Sequence, residues 1–118
     1  TPVHEARAII GEHRLLGVST HTREQVDAAR DAGADYIGVG SVYATTSKSD
    51  AGEPIGISGL QRIAATTSLP VAAIGGITTR NLAEVAATGV AMAVVLSAFS
   101  ASPDAAASAK EFVRLWPA

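Results

Sequence analysis

Residues Thr22–Ser41 read TREQVDAARDAGADYIGVGS, and this stretch decides the fold. Thr22-Arg23-Glu24-Gln25 has the spacing of a capping box, in which hydroxyl and amide each satisfy a backbone N–H at a helix start. Val26, Ala29 and Ala32 then recur at helical spacing, and Gly33 stops the helix. Tyr36-Ile37-Gly38-Val39-Gly40 follows as a short buried strand. Displaced by 56 positions, the pattern returns at Thr78–Ser97 as TTRNLAEVAATGVAMAVVLS. Thr22 falls on Thr78, Val26 on Leu82, Gly33 on Gly89 and Ser41 on Ser97. The strand Tyr36–Gly40 falls on Met92–Leu96. Two copies of a βαβα block, each a quarter of an eight-stranded barrel, make half a barrel.

Working outward, Thr1-Pro2 opens a helix whose apolar face is Val3, Ala6 and Ile10, and Gly11 ends it. Leu15-Leu16-Gly17-Val18 is a second apolar run and is expected to form a strand. Ser58-Gly59-Leu60-Gln61 has capping-box spacing before Leu60, Ile63, Ala64 and Thr67. Val71–Ile74 is a strand closed by Gly75-Gly76, and Thr78 or Thr79 is expected to cap the helix after it. Ser102-Pro103 starts a last helix with Ala109, Phe112, Val113 and Trp116 on one face. The predicted architecture is α/β, a TIM-type (βα)-barrel cut to about half: a leading helix and four parallel βα units in a single unit over residues 1–118.

Composition bounds the function. Of 118 residues, 47% are hydrophobic and 17% charged, which suits a packed core rather than a disordered chain. A net charge of −2 without a basic run argues against nucleic acid and against a polybasic membrane contact. No apolar run reaches the roughly 18–20 residues of a membrane span. No signal peptide is read, and a cytoplasmic protein is the expectation. With no cysteine, disulfides and thiolate metal sites are excluded. No His/Asp/Glu cluster has metal-ligand spacing, and neither a Walker loop nor a GxGxxG occurs.

Parallel βα folds bind ligands at the C-terminal ends of their strands. Those ends are Ser19-Thr20-His21-Thr22, Gly40-Ser41, Gly75-Gly76-Ile77-Thr78 and Ser97-Ala98. Gly75-Gly76 before a helix suits an anion cradle, because bare backbone lets N–H groups approach a phosphate. It suits a plain tight turn as well. Ser97, one βα unit later, adds an N–H and a hydroxyl. The loop from Ser41 to Ile55 carries Thr45, Thr46, Ser47, Lys48 and Asp50, and loops of this length are commonly functional. Its hydroxyls and single lysine fit a phosphate or diphosphate, or simply a solvated polar loop. His21 stands where a general acid or base would act, or where a structural histidine would bond backbone.

Four stretches carry a resemblance: GVSTHT (Gly17–Thr22), DAGADYIGVGSVYATTSKSD (Asp31–Asp50), VAAIGGIT (Val71–Thr78) and VVLSAFSA (Val94–Ala101). In this order they resemble thiamine-phosphate synthase, a (βα)8 barrel that joins hydroxymethylpyrimidine diphosphate to thiazole phosphate, releases pyrophosphate and uses magnesium. The resemblance implies that Ser19 and Lys48 contact the diphosphate. It implies that Thr45, Ser47, Gly76, Leu96 and Ser97 bind the thiazole phosphate. The loop departs from the family's Pro-Thr-x-Thr-Lys pattern: Ala44 and Ser41 stand where proline is usual, and Ser47 replaces threonine. The family's basic diphosphate-binding residues and magnesium-binding aspartates belong to an N-terminal half that these residues do not include, so no metal ligand is assigned here.

Thiazole tautomerases share the scaffold and resemble the chain at His21, where their histidine moves a proton without magnesium. Three readings follow: a synthase-type transferase or part of one, a tautomerase-like isomerase using His21, and a non-catalytic phosphate-binding half-barrel. A four-strand half-barrel has two open edges, so the expected partners are a second copy of the chain or an N-terminal half-barrel.

Overall fold

The computed structural model describes residues 2–44, 53–95 and 103–117. Helix α1 (Val3–Ile10) precedes strand β1 (Gly17–Thr20), followed by α2 (Arg23–Asp31), β2 (Tyr36–Val39), α3 (Gly56–Thr66), β3 (Val71–Ile74), α4 (Leu82–Ala87), β4 (Met92–Val94) and α5 (Ala105–Leu115). The four strands form one sheet in the order β1-β2-β3-β4, every neighbouring pair parallel. The predicted α/β architecture of a leading helix and four βα units is therefore present.

Thr22 forms the predicted capping box: Gln25 N–H donates to Thr22 Oγ1 at 3.2 Å, and Gln25 Oε1 accepts from the Thr22 and His21 N–H groups at 3.2 and 2.7 Å. Its 56-residue counterpart differs: neither Thr78 nor Thr79 caps α4, which follows Asn81 without a side-chain cap, and the bond of the Thr78 hydroxyl stays within the turn before the helix. Thr78 N–H donates to Asn81 Oδ1 at 2.8 Å, and Thr78 Oγ1 accepts from Arg80 N–H at 3.2 Å. Asn81 thus occupies the Gln25 place, and Thr78, not Thr79, starts the turn that leads into α4. The core equivalences hold too: Val26 and Leu82, Ala29 and Val85, and Ala34 and Val90 are all buried.

Helix α3 begins differently from its sequence reading. Ser58 does not cap it; the helix starts at Gly56, and no side chain caps Ile55. The Ile55 and Gly56 N–H groups donate instead to the Ser41 and Val42 carbonyls at 2.8 and 2.9 Å. Backbone from the end of β2 satisfies donors that a side-chain cap would otherwise take. Strand β1 also lies later than the Leu15–Val18 run. Leu16 N–H is taken by the Asp35 carboxylate at 2.8 Å, and Leu15 is 81% exposed. On α5, Asp104 is the cap, accepting from Ala107 N–H at 3.1 Å, and Ser102 lies outside the described residues. The inward face of α5 is Phe112, Leu115 and Trp116; Ala109 and Val113 face water, one position away from that stripe.

The core lies between the sheet and its helices. Ile37, Val39, Val71 and Ala73 on one face of the strands meet Val26, Leu60, Ile63, Leu82 and Val85. Fully burying a side chain such as Leu60 or Leu82 contributes about 1.5–3 kcal/mol. The opposite face is open: Ser19, Ile74, Met92 and Val94 are exposed there. In a closed barrel this face points inward. All strand C-termini share one rim, and the loops after them are the place to look for chemistry.

Candidate functional site

At that rim β2 does not stop with its last ladder residue. Val42 N–H donates to Ile74 O at 2.9 Å and Tyr43 N–H to Gly75 O at 3.1 Å, carrying the chain alongside the end of β3. The returning arm, Ile55-Gly56, is pinned to Ser41 and Val42 as described above. The two arms therefore form a neck, and the loop between them, with Thr45 to Asp50, issues from a fixed base.

The Gly75-Gly76 turn is built against this neck. Both residues have positive φ, 106° and 69°. A side chain at Gly75 would place its Cβ 2.1 Å from Ser41 Oγ; at Gly76 it would lie 2.7 Å from Tyr43 Cβ and 2.8 Å from the Ala44 carbonyl. Glycine is thus required by the approach of residues 41–44 as well as by backbone conformation. The turn is closed by Asn81, whose Nδ2 donates to Gly76 O at 3.0 Å while its Oδ1 holds the Thr78 N–H. The Gly76 and Ile77 N–H groups, by contrast, have no hydrogen-bond partner among the described residues.

Tyr43 bridges the neck to the helix beyond the turn, its hydroxyl donating to Glu84 Oε1 on α4. Burial and then the Glu84 contact raise the Tyr43 phenol above its ordinary value, so it keeps its proton. Ser19 is exposed on the open face of β1, opposite Gly38 in register. Of the residues assigned from sequence, Ser19 and Gly76 lie at this end of the sheet. Thr45, Ser47, Lys48, Leu96 and Ser97 lie outside the described residues.

His21, directly after β1, lines an open groove of about 570 Å³ between α2 and α3, with Arg23, Ile55, Arg62 and Ile63. Neither Ser19 nor Gly76 lines that groove. Among the described residues no group of three or more His, Asp or Glu is placed to hold a metal ion. Asp35 is on the opposite rim and is bound to Arg7. The residues described here therefore do not fit a magnesium site. No described helix is long and apolar enough to cross a membrane.

Asn81 and Tyr43 were not singled out from sequence. Asn81 was findable, because the 56-residue displacement puts it on Gln25. Tyr43 had no such signal; its bond to Glu84 joins residues 41 positions apart.

Comparison with known proteins follows the same line. The thiamine monophosphate synthase family model matches residues 1–99. Over 109 residues the chain is 47% identical to the thiamine-phosphate synthase of Roseiflexus sp. (strain RS-1), covering 92% of this chain and 46% of that protein. It is 45% identical to the thiamine-phosphate synthase of Moorella thermoacetica, covering 92% of this chain and 52% of that protein. Among solved structures, thiamine phosphate pyrophosphorylase from Pyrococcus furiosus superposes with a TM-score of 0.88 at 36% identity, over 98% of this chain and 54% of that one. The chain spans about half the length of the curated relatives it matches.

Proposed function

The chain belongs to the thiamine monophosphate synthase family, and from that premise we propose that it serves the condensation of hydroxymethylpyrimidine diphosphate with thiazole phosphate as the C-terminal half-barrel of the enzyme. In this reading it supplies the phosphate-holding face. The observation that carries the proposal is the turn at Gly76-Ile77, where two N–H groups without a partner among the described residues stand at the strand-end rim beside the neck of the loop. Backbone donors so placed suit an anion.

The division of labour follows from chemistry. The Gly76 turn, with Leu96 and Ser97 after β4, holds the phosphate of the thiazole. Thr45 and Ser47 close over it with their hydroxyls. Lys48 and Ser19 meet the diphosphate of the pyrimidine. One lysine offsets little of that diphosphate's charge, and the leaving group must be neutralised as its bond breaks. The missing charge, magnesium included, is assigned to residues beyond these 118.

The partner is argued from the helices. Each strand of a (βα)8 barrel needs one crossover helix to its neighbour. Here α1 precedes β1 and α5 follows β4, so both open edges already carry their helix. Two copies would bring ten helices to eight strands. A half-barrel of four strands linked by three helices would complete the count, and an N-terminal half-barrel is such a partner.

The test is a turnover assay with both precursors and magnesium. The isolated chain is expected to form negligible thiamine phosphate, since each 1.36 kcal/mol of lost transition-state stabilisation is about a tenfold loss of rate. Activity is expected when an N-terminal half-barrel is added or fused. Turnover by the chain alone at a rate typical of enzymes overturns the proposal.

A further inference from the structure

We infer that Asn81 is a positioning residue for the anion turn: it holds the Gly76–Ile77 peptide by its carbonyl and so keeps the Ile77 N–H open to a ligand. The inference rests on the phosphate reading of the turn and goes beyond it, by assigning the residue that keeps the donor free.

The 56-residue displacement supplies an internal comparison. His21 falls on Ile77, Thr22 on Thr78 and Gln25 on Asn81. In the first block Gln25 Oε1 accepts from both the His21 and the Thr22 N–H, at 2.7 and 3.2 Å. In the second block Asn81 Oδ1 accepts from the Thr78 N–H, at 2.8 Å, and not from that of Ile77. Its Nδ2 donates to Gly76 O at 3.0 Å. The donor that the first block consumes is thus left without a partner among the described residues in the second. Asparagine is one methylene shorter than glutamine. The shorter arm places its amide nitrogen on the carbonyl of the very peptide whose N–H it leaves alone.

Peptide geometry turns that carbonyl bond into an aiming device. The Gly76–Ile77 peptide is trans, and in a trans peptide the C=O and N–H point to opposite sides. A donor fixed on Gly76 O therefore directs the Ile77 N–H away from Asn81. The other end of the peptide is anchored by the Ile77 side chain, which is 3% exposed in the core. Gly76 has a φ of 69°, and successive N–H groups at a left-handed residue form a concavity suited to an anion. Asn81 does this at the expense of its own helix. Asparagine in that position ordinarily accepts a bond from the first turn, yet α4 has no side-chain cap.

The experiment titrates the 118-residue chain with inorganic phosphate, following the Gly76 and Ile77 amides by NMR, alongside thermal unfolding. Asn81→Gln lengthens the arm to that of Gln25 and keeps both polar atoms. It is expected to take up the Ile77 N–H as Gln25 takes up that of His21. Phosphate binding then weakens about tenfold, the range of one lost bond to a charged group, with the unfolding midpoint unchanged or higher. Asn81→Ala, which releases Gly76 O, is expected to weaken binding by a similar factor. Val85→Ala loosens the packing of α4 and alters none of the turn's polar groups. It is expected to lower the midpoint while phosphate affinity holds. If either Asn81 variant binds phosphate as the parent does, or if Val85→Ala costs as much affinity as they do, the positioning role is wrong while the phosphate reading stands. If the parent chain itself shifts neither amide, the phosphate reading falls and this inference falls with it.

Discussion

Arg7 Nη2 lies 2.6 Å from Asp35 Oδ2, and the same oxygen accepts the Leu16 N–H at 2.8 Å. Arg7 also donates to the Gly11, Arg14 and Gly33 carbonyls at 3.1, 2.8 and 2.8 Å. One guanidinium thus fastens α1 to the entry of β1 and to the turn before β2. Helix α1 contributes no fully buried residue, so this polar clip does what apolar packing does for the other helices.

The clip predicts an acid sensitivity. Arg7 first, then the Leu16 N–H, hold the Asp35 carboxyl below the usual carboxylate range. A group with a depressed value stabilises the fold above its unfolded pKa, about 4, and the contribution is lost as pH falls through the lower folded value. Unfolding midpoints measured from pH 5 to pH 2 should fall less steeply for Asp35→Asn than for the parent. Exchange of the Leu16 amide should quicken in that variant.

The cap at Thr22 and the turn at Thr78 predict unequal costs. Thr22→Ala should destabilise by about 1 kcal/mol, the usual cost of losing a hydroxyl cap. Thr78→Ala loses only a bond within the turn before α4 and should cost less. Urea unfolding checks this, with a shifted midpoint and an unchanged slope. Equal costs would mean that the Thr78 turn holds α4 as firmly as the Thr22 cap holds α2.

Two glycines with similar φ should respond differently to alanine. Gly33→Ala meets open space and should cost only the left-handed strain, about 1–2 kcal/mol. Gly75→Ala adds a Cβ 2.1 Å from Ser41 Oγ and should cost more, with the neck displaced. Chemical denaturation ranks them. Equal costs would mean that the neck yields freely.

The core should be sensitive where α5's outer face is not. Leu82→Ala removes a side chain that is 2% exposed and should cost about 2–5 kcal/mol. Val113→Ala, at 75% exposed, should stay within about 0.5 kcal/mol of the parent.

The open sheet face predicts association. Ile74, Met92 and Val94 present apolar surface that a closed barrel would cover. At about 25 cal/mol per Å², a few hundred Å² of such surface is worth several kcal/mol. Light scattering at micromolar concentration should show self-association of the chain. Met92→Lys with Val94→Lys should reduce it. A stable monomer contradicts the expectation.

Much was determined by sequence alone because it is local. The Thr22 cap, the Val26 and Ala29 stripe, the stop at Gly33 and the strand after it depend on neighbours within a few residues, and their return 56 positions later marks the same unit twice. The strand order and the shared rim follow once parallel βα units are recognised. Tertiary structure decided what depends on distant partners. Leu15-Leu16 reads as a strand by its apolar run, yet Asp35 takes the Leu16 N–H and the strand begins at Gly17. Ser58 has the residue type of a cap, yet the carbonyls of Ser41 and Val42 reach the start of α3 first. Gly75-Gly76 was legible as a turn. That its glycines also admit the neck of Ser41–Ala44, and that His21 lines a groove between α2 and α3, required the chain to be folded. A backbone donor bonds whatever acceptor the whole fold brings nearest, and the sequence within reach of it names only some of the candidates.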